Sequence, residues 1–131
     1  MEESKKEQST ERIRKSRKDI GKIYEEQCRE YLKSKGIKVL EWNFRCRFGE
    51  IDIIGKDADY LIFFEVKARR TDNSGYAQEA VTYRKQRTIC RVCDVYLAKH
   101  GISLEQPVRF DVLAVNQNEI VWYQNAFDYC K

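Results

Sequence analysis

At 131 residues, 42% hydrophobic and 35% charged, with a formal net charge of +4, the chain fits one domain whose core needs no covalent staples. No apolar run approaches the ~20 residues of a membrane span, and the amino-terminal MEESKKEQST holds no apolar stretch that could act as a secretory signal. No membrane-spanning helix is therefore expected, and the protein reads as cytoplasmic.

Residues 1 to 19 carry seven basic and five acidic groups around one internal apolar residue, Ile13. Such a stretch cannot bury enough surface to order itself. A flexible basic arm is therefore expected over 1–19, ahead of a single folded domain over 20–131. Arg12, Arg14, Lys15, Arg17 and Lys18 make that arm either a solvated tail or a contact for a polyanion. Next, Ile20, Ile23, Tyr24, Gln27, Cys28, Tyr31 and Leu32 recur at helical spacing, with Asp19 placed to cap the helix and Gly36 to end it. Ile37–Trp42 reads as a first strand. In the segment that follows, Arg45 and Arg47 share a face if the chain is extended, placed either to bind phosphate or to pair with Glu41 or Glu50.

Two apolar runs come next, and the polar break Gly55-Lys56-Asp57 between them predicts a turn. The second run, Ala58 to Val66, suits a strand buried on both faces, yet it ends in Glu65-Val66-Lys67. Charges at such a place are costly unless something pairs with them. Residues two apart share a strand face, so Glu65 projects with Lys67, and Glu50 with Asp52. A hairpin would bring Asp52 and Glu65 to one point with Lys67 beside them. Two hard oxygen ligands next to a cation describe a magnesium or manganese centre where a water can be activated.

Thr71–Gly75 reads as a loop and Ala77–Lys99 as a second helix, with Arg84, Lys85, Arg87 and Arg91 off its apolar stripe. From Lys67 to Lys99 there are eight basic residues, Arg69 and Arg70 among them, against three acidic ones. This positive charge follows the Glu-Val-Lys directly, where a phosphate backbone would lie. Pro107–Val115 and Glu119–Gln124 read as two last strands joined by Asn116-Gln117-Asn118, with Arg109 and Asp111 as a structural pair. Helix, three strands, helix, two strands describe an α/β domain with a mixed sheet flanked by helices. The five cysteines, at 28, 46, 90, 93 and 130, are an odd number with one close pair, Cys90-x-x-Cys93, and His100 is the single histidine. Neither a disulfide framework nor a zinc ligand set is recognisable, so free buried or half-buried thiols are expected.

Gly49-Glu50-Ile51-Asp52, then Phe64-Glu65-Val66-Lys67 with Arg69, resembles the signature of the restriction-endonuclease-like nucleases, the PD-(D/E)xK superfamily. More narrowly it is similar to the bacterial YraN family, described as Holliday-junction-resolvase-like. Gly21, Glu25, Tyr31-Leu32, Asn43-x-Arg45, Gly75, Glu79-Ala80-Val81, Lys85, Arg109–Val112 and Asn125–Phe127 extend the likeness over about four-fifths of the chain. Tyr24 departs from it, since the family most often has glycine there.

The resemblance implies a restriction-endonuclease-like fold in the order α-β-β-β-α-β-β. It also implies a Mg2+- or Mn2+-dependent endonuclease that hydrolyses phosphodiester bonds in DNA, branched or otherwise structured. Asp52, Glu65 and the main-chain carbonyl of Val66 would hold the metal and Lys67 would orient the attacking water. Glu25 would come from the first helix as a further metal or water ligand, and Glu50 would be auxiliary. Lys85, Arg69, Arg70, Arg84 and Arg45 are the candidate contacts to nucleic acid. Resolvases of similar fold cut two strands in concert, which implies a homodimer. Two alternatives compete: a nucleic-acid-binding module with the nuclease fold and little or no catalysis, and an enzyme acting on RNA or on a protein-bound complex.

Overall fold

The apolar spacing of Tyr24, Cys28, Tyr31 and Leu32 winds into helix α1 (Arg17–Ser34), which begins two residues ahead of the expected capping residue Asp19. Gly36 stops it. Its φ of +77° is the left-handed conformation that glycine adopts without strain, and the Ile37 N–H turns back to the Leu32 carbonyl at 3.0 Å. The computed structural model describes residues 17–68, 81–116 and 119–130, with side chains from Lys22 onward. Most of the expected arm, the 71–75 loop, Arg69 and Arg70 lie outside the described residues.

Strands β1 (Lys38–Cys46), β2 (Gly49–Asp57) and β3 (Tyr60–Ala68) pair antiparallel in sequence order. Helix α2 (Tyr83–Lys99) lies in the connection that lets β4 (Val108–Val115) pair parallel to β3, and β5 (Ile120–Phe127) adds antiparallel at the far side. The five-stranded mixed sheet runs β1-β2-β3-β4-β5, in the expected order α-β-β-β-α-β-β.

A helix covers each face. Cys28 and Leu32 of α1 pack on Ile53, Ile62, Phe64 and Leu113, while Ile89, Val92 and Tyr96 of α2 pack on Ile51, Phe63 and Phe110. Strand β3 lies between both layers, which is why its sequence is apolar without alternation: Leu61 to Glu65 are all buried. Each large side chain removed from water there contributes about 1.5–3 kcal/mol. Among the described residues no helix is long and apolar enough to cross a membrane.

Two local features correct the sequence reading and shape the site. The chain reverses at Ala58-Asp59, with Ala58 at φ +51°, and not at Gly55-Lys56-Asp57. Gly55 sits inside β2, where a Cβ would come within 3.0 Å of Ile37 and 3.2 Å of Phe64; it is a glycine for close packing. Regular alternation also breaks opposite the acids. Trp42 and Ile53 pack on the α1 side, whereas Phe44 and Ile51, two residues away on each strand, pack on the α2 side. Asn43 takes up the change of face at φ +52°.

Candidate active site

The ladder between β2 and β3 runs from Asp57↔Tyr60 to Ile53↔Phe64, and no pairing is made beyond it. In its place the Val66 N–H donates to Asp52 Oδ2 at 2.8 Å. A side chain thus takes a main-chain donor that a regular ladder would have used, and the Asp52 carboxylate lies in the gap where the strands part. Glu65 lies one residue before Val66. Its Oε1 is 3.6 Å from Lys67 Nζ on its own strand and 4.0 Å from Lys85 Nζ on α2. Helix α2 delivers that second lysine through its cap, since Thr82 Oγ1 accepts the Lys85 N–H at 3.1 Å. A lysine in a first helical turn opposes the helix dipole, and here the neighbouring carboxylates offset that cost.

Both acids pay for their position. Burial, reinforced by the charge of Asp52, pushes the Glu65 carboxyl up to about 7 against the pull of the Lys85 and Lys67 ammonium groups. Burial also raises Asp52, opposed by its hydrogen bond from Val66 and increased by Glu50. Two neighbouring acids whose hold on a proton is raised by burial lack positive charge. A divalent cation would supply it. Among the described residues no three His, Cys, Asp or Glu side chains converge on one point that could hold a metal, so an all-protein cage is absent there. Magnesium does not require one, because it binds through one or two carboxylates and completes its shell with waters and substrate phosphates. Asp52 and Glu65, hard oxygen donors with raised affinity for positive charge, fit that ion.

On the α1 side the gap opens into a cleft of about 650 Å³ lined by Lys22, Glu25, Cys28, Asn43, Glu50 and Asp52, among others. Glu25 shares this cleft with Asp52, but the structure does not bring it into one ligand set with Asp52 and Glu65. Glu65 is not among the residues that line the cleft and has the Lys67 and Lys85 ammonium groups beside it, and Glu25 is ion-paired with Arg29 at 3.9 Å. At the cleft wall, burial pushes the Cys28 thiol up to about 12, with the negative charges of Asp52 and Glu25 adding to the rise. Glu50 is fixed from outside by the Arg45 Nε–H at 2.9 Å, so of its two readings Arg45 takes ion pairing. Arg47 instead lies over the Phe48 ring at 4.7 Å. Tyr24, where the resemblance departs, lines the cleft.

Arg84 is apart from the acids, grouped on α2 with Arg87 and Arg91. Lys85 was expected as a phosphate contact, and its approach to Glu65 is a placement that the sequence reading missed. The available signal was Thr82, three residues earlier, a capping residue that fixes where α2 starts. All five cysteines are free, and Cys90 Sγ and Cys130 Sγ lie 3.6 Å apart.

A family profile described as "Uncharacterised protein family UPF0102" matches residues 24–115. A UPF0102 protein of Thermodesulfovibrio yellowstonii is 42% identical over 112 residues, covering 86% of this chain and 98% of that protein. One from Legionella pneumophila (strain Corby) is 38% identical over 110 residues, 82% of this chain and 93% of that one. A third, from Clostridium botulinum (strain Loch Maree / Type A3), is 43% identical over 103 residues, 79% and 84% of the two chains. A solved structure described as "Crystal structure of SSO0001" aligns with a TM-score of 0.44 at 16% identity; the alignment covers 95% of this chain and 59% of that one.

Proposed function

The chain belongs to the uncharacterised protein family UPF0102, and we propose that it is a divalent-metal-dependent endonuclease hydrolysing phosphodiester bonds in branched or otherwise structured DNA. One observation carries this reading: a buried Glu65 and a half-buried Asp52, each carboxyl raised above its ordinary pKa by burial, lie at parting strand ends beside two lysines.

Asp52, Glu65 and the Val66 carbonyl would hold Mg2+ or Mn2+. Bound there, the ion supplies Lewis acidity at phosphate and a lowered pKa for a nucleophilic water. The rest falls to the chain's own groups. The hydrogen bond from Val66 fixes the Asp52 carboxylate in the gap, so no reorganisation is needed at the moment of reaction. The Lys67 ammonium, 3.6 Å from Glu65, would orient a water and offset the charge that grows on a pentacoordinate phosphorus. Lys85, at a similar distance from Glu65, adds a second positive charge to the same point. Glu25, across the cleft, would hold a second ion or a water, and Glu50 keeps further negative charge at the rim. Arg69 and Arg70 follow directly after the centre in sequence and would meet the flanking phosphates. Five free cysteines suit a reducing compartment, the cytoplasm. Concerted cleavage of two strands would take two copies of the chain.

Cleavage of labelled four-way junctions, flaps, duplexes and single strands, with DNA and RNA of matched shape, tests the proposal. Cutting of branched DNA should require Mg2+ or Mn2+ and fall by about a thousandfold or more in Glu65→Ala and Lys67→Ala. Equal cutting by Glu65→Ala removes the assignment. Tight junction binding by a wild type that never cuts would leave a binding module.

A further inference from the structure

The arginines whose side chains the structure describes fall into two groups. Arg29, Arg45 and Arg109 each lie within ion-pair distance of a carboxylate, whereas Arg47, Arg84, Arg87 and Arg91 pair with no carboxylate among the described residues. Arg84, Arg87 and Arg91 stand at i, i+3 and i+7 on α2, so they share one side of the helix. With Thr88 they line a shallow surface groove of about 200 Å³. No acid interrupts α2 before Asp94.

The turn between β1 and β2 rests on the same side. At Gly49 a Cβ would come within 2.8 Å of Thr88 Cγ2, so the turn is seated directly on the helix. It presents Phe48, which is 38% exposed, with the Arg47 and Arg91 guanidinium groups 4.7 and 5.6 Å from its ring centre. A partly exposed aromatic ring with two guanidinium groups near it offers a stacking surface in a positive field. The track also starts at the centre, because Lys85, one residue from Arg84, reaches Glu65. From Lys85 to Arg91 the helix advances about 9 Å, a length over which one nucleic-acid strand presents two or three phosphates.

We propose that Arg84, Arg87 and Arg91 hold the phosphates of one DNA strand leading away from the acid pair, and that Phe48 stacks on an unpaired base at a branch point. This deepens the nuclease reading by naming a substrate path, and it rests on that reading for the choice of DNA over an acidic protein. Guanidinium groups left without carboxylates have their counter-charge supplied by the ligand. The ring explains why a branched substrate, which exposes unstacked bases, would be preferred to plain duplex.

Binding without cleavage separates this path from the chemistry. Fluorescence anisotropy in EDTA, with a labelled four-way junction and a matched duplex across a salt series, compares wild type, Arg84→Gln/Arg87→Gln/Arg91→Gln and Phe48→Ala. Each phosphate contact contributes about 0.9 to the slope of log K against log salt. The triple variant should therefore lose about 2.7 from that slope and weaken at least about tenfold at low salt, and Arg87→Gln alone should lose about 0.9. Phe48→Ala should lower the preference for junction over duplex about tenfold with the slope retained. Thermal unfolding of the variants should match wild type, since the side chains are exposed. Wild-type affinity and slope in the triple variant overturn the path while leaving metal-dependent cleavage to stand or fall by itself. An unchanged junction preference in Phe48→Ala overturns the stacking role. Binding of polyglutamate as tight as DNA reassigns the surface to an acidic protein. Loss of binding in the triple variant of a protein that cuts nothing supports the path and removes the nuclease reading.

Discussion

Asp111 and Glu65 stand almost opposite each other on neighbouring parallel strands, Asp111 facing Phe64 and Glu65 facing Val112. Both are carboxylates taken out of water, at 0% and 7% exposure. Their surroundings differ. Asp111 accepts from Arg109 Nε at 3.0 Å, Arg109 Nη2 at 3.0 Å, Trp122 Nε1 at 2.8 Å and the Asn125 N–H at 2.8 Å. Glu65 has two lysine ammonium groups at 3.6 and 4.0 Å and a second acid as its neighbour, and its carboxyl is pushed up to about 7. Burial of a charge is therefore not the mark of a site. Asp111 is saturated with donors and ties β4 to β5, while the Asp52–Glu65 pair keeps unmet demand for positive charge, which the fold tolerates at a cost in stability.

The largest expected effect lies on the saturated side. Asp111→Ala leaves the Arg109 guanidinium half-buried without its partner and should destabilise the fold by about 3–5 kcal/mol in urea unfolding. A loss no greater than a surface substitution would show the network to be incidental. The opposite sign is expected at the other acid. Without metal at pH 8, Glu65→Gln should raise stability by roughly 1–3 kcal/mol, because the amide removes a buried charge of similar shape. A destabilised Glu65→Gln would place Glu65 in the same class as Asp111.

Titration sharpens the contrast. The folded carboxyl titrates near 7, above its ordinary 4.5, so folding favours the protonated form. That contribution is fully present below pH 4.5 and is lost as pH rises through 7. The stability difference between Glu65→Gln and wild type should accordingly widen across this window, and a flat difference would contradict the burial of the charge. The smallest effect belongs to the exposed pair at the rim. Arg45→Ala breaks a 2.9 Å contact between side chains 76% and 46% exposed, and it should change stability by less than about 1 kcal/mol in the same unfolding assay.

The comparison also explains what could be read in advance. Asp52, Glu65 and Lys67 were legible because a strand fixes which residues share a neighbourhood, and because a buried strand ending in charges is anomalous on composition alone. The element order was legible for the same reason, as apolar period distinguishes the two helices from the strands. Lys85 was not placed, since its approach to Glu65 depends on how α2 packs on the sheet, a tertiary fact outside local pattern. Gly55 was misread because composition does not separate a glycine that turns the chain from one that admits Phe64. The change of face at Asn43 was invisible too, because reading a strand by its period assumes one face throughout and does not show which residue turns left-handed. Glu25 was named through the resemblance alone, and its contact with Arg29 one turn on, within ion-pair distance, was not foreseen.

Thermal unfolding at pH 8 across a manganese titration, with wild type beside Glu65→Gln, probes the unmet charge demand most directly. A two-carboxylate metal centre predicts a saturable rise in the wild-type midpoint, following the logarithm of metal concentration over its dissociation constant, with Glu65→Gln starting higher and staying flat. Parallel rises in both proteins, or no rise in the wild type, would contradict a metal site at Asp52 and Glu65.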